Sequence, residues 1–289
     1  MSQRIQWFPG HMAKTKRLIS ENLKLCDVVV EILDARIPVS SKNPMIDGLM
    51  GEKPRLVLLN KSDIADRAVN EKWMEYYKEA GIDAMLFSSV TPQGNKEALN
   101  RIRLILKDKL ERQRARGIVN RPVKIMVAGI PNVGKSAFIN CISGRKAMKV
   151  ENRPGVTRDK QWIKLAGGFE LLDTPGILWP KFEDERVGQR LAFCGSIKDE
   201  ITDTVFLAVE LTDFLRKSYP DALSARYGIP SEELTSPEKY EAFERIGRKR
   251  GFLIGGGDID EERTAKMILD EFRAAKIGRI SIEKPSDFI

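Results

Sequence analysis

Apolar residues in the first part of the chain gather in short runs that alternate with stretches of helical period. Residues 27–33, 55–59, 84–87, 125–128, 161–165 and 169–172 have strand length and lie between turn or polar residues. The runs at 55–59 and 125–128 are apolar almost throughout, as parallel strands buried on both faces are. Residues 12–25, 45–50, 68–80, 96–116 and 137–142 predict helices. On the third of these, Trp73, Tyr76 and Tyr77 are expected to pack in the core rather than to form a stacking surface. Beyond residue 182 the strand signals largely stop. There 183–217, 237–249 and 260–276 read as helices, with loops around Tyr219-Pro220 and Gly255-Gly256-Gly257. The pattern predicts an α/β domain over 1–180, its N-terminal segment 1–26 included, followed by a smaller all-α domain over 181–289.

One strand ends on a phosphate-binding signature. The run at 125–128 enters Gly129-Ile130-Pro131-Asn132-Val133-Gly134-Lys135-Ser136, which matches G-x-x-x-x-G-K-[ST] at every fixed position. Glycines at 129 and 134 let successive backbone N–H groups turn inward around a phosphate with no Cβ in the way. The helix that follows aims its N-terminal N–H groups and its positive dipole end at the same anion. Lys135 can reach β- and γ-phosphates, and the Ser136 hydroxyl can ligate Mg²⁺. Asn132, Val133, Gly134 and Ala137 complete the candidate phosphate cradle.

The run at 55–59 ends on Asn60-Lys61-Ser62-Asp63, the N-K-x-D form by which GTPases read guanine. Asp63 can accept from guanine N1–H and the 2-amino group, a donor pair that adenine lacks. Asn60 can contact the base edge, and the Lys61 stem can lie along the ring face. Such a site discriminates strongly, because the wrong base leaves buried polar groups unpaired. Ser88 and Ser89, after the strand at 84–87, are candidates for a further guanine contact. Asp173-Thr174-Pro175-Gly176 begins 38 residues beyond Lys135. Asp173 can hold Mg²⁺ through water, the Gly176 N–H can meet the γ-phosphate, and Thr157 can supply a second Mg²⁺ hydroxyl. Loops held by the γ-phosphate and released on hydrolysis are the physical basis of a switch. After Gly176 many GTPases place a glutamine that orients the attacking water; Ile177 cannot do this, so slow intrinsic hydrolysis is expected. Two candidates supply the missing group. One is His11, the only histidine, in the turn Pro9-Gly10-His11; the alternative for it is a structural role. The other is K⁺ at Asn132, which resembles the asparagine of cation-dependent GTPases; a loop-stabilising asparagine is the alternative there.

Charge adds a possible partner. The chain carries 49 Lys and Arg against 41 Asp and Glu, net +8, unevenly spread: 181–289 holds 18 against 22, or −4, and 1–180 therefore holds +12. The predicted helix at 96–116 carries Arg101, Arg103, Lys107, Lys109, Arg112, Arg114 and Arg116, opposed by Glu97, Asp108 and Glu111, with Leu99, Ile102, Ile105 and Leu106 as its apolar stripe. A solvated face is one reading, and contact with a nucleic-acid backbone is the other. No run approaches the ~20 apolar residues of a membrane span, and the N-terminus lacks the apolar core of a secretory signal. Cys26, Cys141 and Cys194 are odd in number and far apart, which indicates neither a disulfide framework nor a zinc site; the reducing cytoplasm is the expected compartment.

The order of the motifs narrows the class. In conventional GTPases the phosphate loop comes first and the guanine-reading motifs last. Here Asn60 to Asp63 and Ser88-Ser89 precede the phosphate loop, so the order is circularly permuted. Together with Trp7-Phe8-Pro9-Gly10-His11-Met12, Asp34-Ala35-Arg36-Ile37-Pro38 and Asp173-Thr174-Pro175-Gly176-Ile177-Leu178-Trp179-Pro180-Lys181-Phe182, it resembles the bacterial ribosome biogenesis GTPase A (YlqF/RbgA) family. The resemblance implies a Rossmann-like P-loop GTPase domain and a helical, RNA-contacting C-terminal domain. It implies GTP and GDP as ligands and Mg²⁺ as cofactor. It also implies a role late in assembly of the large (50S) ribosomal subunit, with 23S rRNA and neighbouring ribosomal proteins as partners; a monomer is expected. Ala137 departs from the family, which more often has Thr there. Two other readings stay open: a GTPase serving tRNA modification or another RNA task, and a GTP-binding module with little hydrolysis, which Ile177 permits.

Overall fold

Strand β1 (Val28–Asp34) is buried at every position and lies at the middle of the sheet. The computed structural model describes residues 10–90, 94–118, 121–143, 161–173, 184–235 and 238–288, with 10–16, 18, 161 and 173 given by their backbone alone. Among these, β1 is joined by β2 (Arg55–Asn60), β3 (Ala84–Leu86), β4 (Val123–Ala128), β5 (Gln161–Leu165) and β6 (Phe169–Asp173) in one sheet of order β3-β2-β1-β4-β6-β5. All neighbours pair in parallel except β5 with β6. The predicted strands are therefore present. Three of them run on to a polar residue at the C-terminal end: Asp34, Asn60 and Asp173.

Alternation along the strands sets the layers. Val29 of β1, with Met126 and Ala128 of β4, clusters with Ile19 and Leu23 of α1 (Gly10–Leu25) and with Ile46 and Met50 of α2 (Pro44–Met50). Leu33, Val57 and Leu59 cluster with Val69, Trp73 and Tyr77 of α3 (Arg67–Glu79). Trp73 is fully buried, as expected, and Tyr76 meets it edge-on at 5.3 Å. The alternate strand residues Val28, Val30, Ile32, Leu56 and Leu58 are fully buried as well, so both faces are covered; α4 (Gly94–Ile105) packs on β2 and α6 (Lys135–Ser143) on β5. Each such side chain contributes roughly 1.5–3 kcal/mol. This is a doubly wound α/β layer arrangement, in which ligands bind beyond the carboxyl ends of the strands where the order reverses. Here that point lies between β1 and β4.

The basic stretch at 96–116 is not one helix. It breaks at Leu106 into α4 and α5 (Lys107–Ala115). Leu106 turns inward, 1% exposed, and α5 buries no residue, so no apolar stripe holds the second segment in line with the first. The start of α1 at Gly10 also places His11 in a helix rather than a turn.

The second unit comprises residues 184–280, while 281–288 belong to the first unit. The all-α domain expected over 181–289 therefore gives up its last residues, which carry no periodic signal of their own. The second unit holds α7 (Glu185–Phe193), α8 (Thr204–Ser218), α9 (Pro220–Tyr227), α10 (Lys239–Lys249) and α11 (Glu261–Arg273). Helix α8 packs against the other four. Helix α9 replaces the loop expected at Tyr219-Pro220: Pro220 takes the first helical position, where its missing N–H is no loss, and Gly228 ends the helix in the left-handed conformation. Among the described residues no helix is long and apolar enough to cross a membrane.

Candidate functional site: a guanine nucleotide site

Every described candidate of the sequence reading except His11 lies at the C-terminal edge of the sheet or just beyond it. Asn60 ends β2, Ser88 and Ser89 follow β3, Gly129 to Ser136 follow β4, and Asp173 ends β6 beside Val127 of β4. Thr157, Gly176 and Ile177 lie outside the described residues. The side chains of His11 and Asp173 are likewise not described.

The phosphate loop turns from β4 straight into α6, whose first residue is Lys135. Backbone geometry dictates its glycines. A Cβ on Gly129 would stand 2.6 Å from the Ile32 carbonyl oxygen, and one on Gly134, at φ 98°, would stand 2.2 Å from Asn60 Nδ2. Asn132 also adopts a left-handed φ of 59°, which asparagine tolerates better than most residues. Lys135 is buried to 8% exposure, and its Nζ donates to the Ile130 carbonyl at 2.8 Å, within the loop it serves.

The turn Asn60-Lys61-Ser62-Asp63 is tied directly to this loop. Asn60 Nδ2 donates to the Val133 carbonyl at 2.6 Å, and Ser89 Oγ donates to Asn60 Oδ1 at 3.2 Å. Ser62 donates its hydroxyl to the Phe87 carbonyl at 2.8 Å. Asn60 is 2% exposed and is bonded to both of the loops around it. Ser88 is buried and its Oγ accepts from Val90 N–H, while the Ser89 hydroxyl touches Asn60. Asp63 stays half-buried in the turn.

One residue escaped the sequence reading of the site. Asp34, fully buried at the end of β1, accepts from Lys61 Nζ at 2.8 Å and from Arg36 through Nε at 2.9 Å and Nη2 at 2.8 Å. Burial pushes its carboxyl pKa up, but the Arg36 guanidinium and the Lys61 ammonium outweigh this and hold it well below the usual carboxylate range. Its signal in the sequence is Asp34-Ala35-Arg36, at the end of the strand beside the one that carries the N-K-x-D turn.

A profile described as 50S ribosome-binding GTPase matches residues 124–232. Over nearly its full length the chain is 49% identical to ribosome biogenesis GTPase A of Priestia megaterium, with 98% of each chain covered. The chain belongs to the ribosome biogenesis GTPase A family. The Bacillus cereus member is 47% identical, covering 98% of this chain and 95% of its own. Among solved structures, GNP-bound YlqF from Thermotoga maritima superposes with a TM-score of 0.66 at 29% identity, covering 94% of this chain and 98% of its own. The permuted P-loop GTPase fold and GTP hydrolysis come with membership of the family, and GTP and GDP are its nucleotides.

Proposed function

We propose that the protein is a GTP-driven assembly factor for the large (50S) ribosomal subunit that engages 23S rRNA and neighbouring ribosomal proteins in the cytoplasm as a monomer, with its nucleotide state governing attachment. The names of the relatives support the ribosomal part. The bond from Asn60 to Val133 carries the nucleotide part, because it fastens a guanine-reading turn to a phosphate loop and so favours one molecule spanning both.

In this reading Asp63 reads the Watson–Crick edge of guanine, while Asn60 and Ser89 hold the turn against the phosphate loop. Backbone N–H groups of residues 132–137 and the start of α6 receive the phosphates, and Lys135 leaves the Ile130 carbonyl for the β- and γ-oxygens. The donor set fits Mg²⁺: Ser136 lies in the first turn of α6, and Asp173 ends the strand paired with β4. With Thr157 they would hold the ion, which when bound offsets charge on the β- and γ-phosphates. The Gly176 N–H is assigned to the γ-phosphate. Ile177 leaves water unoriented, so hydrolysis is slow without help; His11 and K⁺ held by Asn132 are the two proposed sources of that help.

Helix α5 is the proposed rRNA contact of the first unit. Arg112 and Arg114 of α5 and Arg116 just after it are exposed, whereas Arg101 and Lys109 form ion pairs with Asp83 and Asp27. GTP turnover measured with and without purified 50S particles tests the proposal: a many-fold rise is expected, and unchanged turnover would count against it.

A further inference from the structure

The last residues of the chain reach back to the guanine end of the nucleotide site. Glu283 and Ser281 are fully buried. The Glu283 carboxylate accepts from Val39 N–H at 2.7 Å, from Ser40 N–H at 3.1 Å and from the Ser40 hydroxyl, across more than 240 residues of sequence. The backbone N–H groups of Ile282 and Glu283 donate to the Arg36 carbonyl at 2.9 and 3.2 Å. Ser281 Oγ accepts from Asp66 N–H at 3.1 Å, and Trp73 Nε1 donates to the Glu283 carbonyl at 3.2 Å. A carboxylate is expensive to bury unless its bonds are needed. The carboxylate's bonds all go to the loop after β1, which also carries Arg36 next to Asp34 at the strand end, while Ser281 bonds to Asp66 in the loop after β2 that begins at Lys61.

We propose that residues 281–288 brace the guanine end of the site, with Glu283 as a positioning residue acting through Arg36 and Asp34 on the ammonium of Lys61. The proposal rests on the assignment of Asn60 to Asp63 to guanine. Its physical content is pre-organisation. Lysine has a long, freely rotating stem, and a ligand that needs the stem flat must order it on binding. Asp34 fixes the Nζ end beforehand, Arg36 fixes Asp34, and the tail fixes the backbone of Arg36. Loosening the tail returns that ordering cost to the binding step.

The test titrates the full chain and Glu283→Gln with a fluorescent GDP analogue, and uses inorganic tripolyphosphate as a competitor that reads the phosphate end alone. The expected result is a rise in the GDP Kd of about two- to tenfold, the range for ordering one long side chain, with tripolyphosphate affinity unchanged. In a Lys61→Met background, Glu283→Gln is expected to have no further effect. Equal weakening of GDP and tripolyphosphate, the same fold-change in the Lys61→Met background, or no change at all would each overturn the brace. If Lys61→Met alone leaves GDP affinity intact, the guanine assignment fails and the brace with it; if Lys61→Met weakens GDP and Glu283→Gln does not, only the brace fails. Should Glu283→Gln not fold, Ser40→Ala removes one donor to the same carboxylate and is judged by the same criteria.

Discussion

Replacing Gly134 by alanine perturbs the contact between Asn60 and the loop at Val133-Gly134, on which the proposed nucleotide site rests. At φ 98° an L side chain is strained, by about 1–2 kcal/mol. The added Cβ would sit 2.2 Å from Asn60 Nδ2, so Asn60 must withdraw from its 2.6 Å bond to the Val133 carbonyl. Asn60 is 2% exposed, and a buried amide deprived of its partner costs roughly 1–3 kcal/mol. The two effects together come to about 2–5 kcal/mol. If the loop keeps its shape the loss appears as lower stability; if it relaxes, it appears as weaker nucleotide binding. The quantity to measure is therefore the sum of the change in unfolding free energy, from denaturant titration, and the change in GDP binding free energy. In an Asn60→Ala background the clash is gone, and Gly134→Ala is expected to cost only the backbone strain, about 1–2 kcal/mol. A cost that is the same in both backgrounds would mean that the turn at Asn60 and the loop at Val133-Gly134 do not touch.

Two further predictions concern the first unit. Asp27 lies between Lys109 Nζ at 2.7 Å, Arg121 at 3.4 Å and the Lys124 N–H at 2.9 Å. Burial raises its pKa, but these partners outweigh it, so the net shift is downward; its stabilisation is present above the ordinary pKa of ~3.9 and is lost as pH falls through the folded-state value. Asp27→Asn is expected to cost about 1 kcal/mol at pH 7, at the low end because both cations are partly exposed. In pH-dependent denaturant titrations the gap to the unsubstituted protein should close below about pH 4, and a gap that widened would contradict the reasoning. Replacing Arg112, Arg114 and Arg116 by alanine is expected to lower the slope of log K against log salt for rRNA by about 2–3 while leaving GDP affinity unchanged; an unchanged slope would remove α5 from the interface.

The parts of this protein that were legible in the sequence are those whose physics is local. The strands at 55–60 and 123–128 announce themselves because a parallel strand covered on both faces must be apolar nearly throughout. The phosphate loop is legible because its glycines answer to backbone positions that no side chain fits. Helix α9 was hidden because Pro220 reads as a breaker when it can equally be a first helical residue. The break at Leu106 was hidden because an apolar stripe shows that a helix is buried, not where it stops being held. Asp34 and Glu283 were missed for a third reason. Their meaning lies in partners 27 and more than 240 residues away, Lys61 and the loop at Val39-Ser40, and no local pattern encodes such a distance.

The central claim is that Asp63 and Lys135 hold opposite ends of one nucleotide, although the chain presents them in permuted order. Asp63→Asn tests it most directly, because an asparagine amide can donate to the 2-carbonyl of xanthine where aspartate accepts from the 2-amino group of guanine. The measurement is phosphate release by this variant from XTP and from GTP. Hydrolysis transferred from GTP to XTP is the predicted result, since the base would then be chosen at Asp63 and the bond broken at the loop of Lys135. A variant that still prefers GTP would contradict the account.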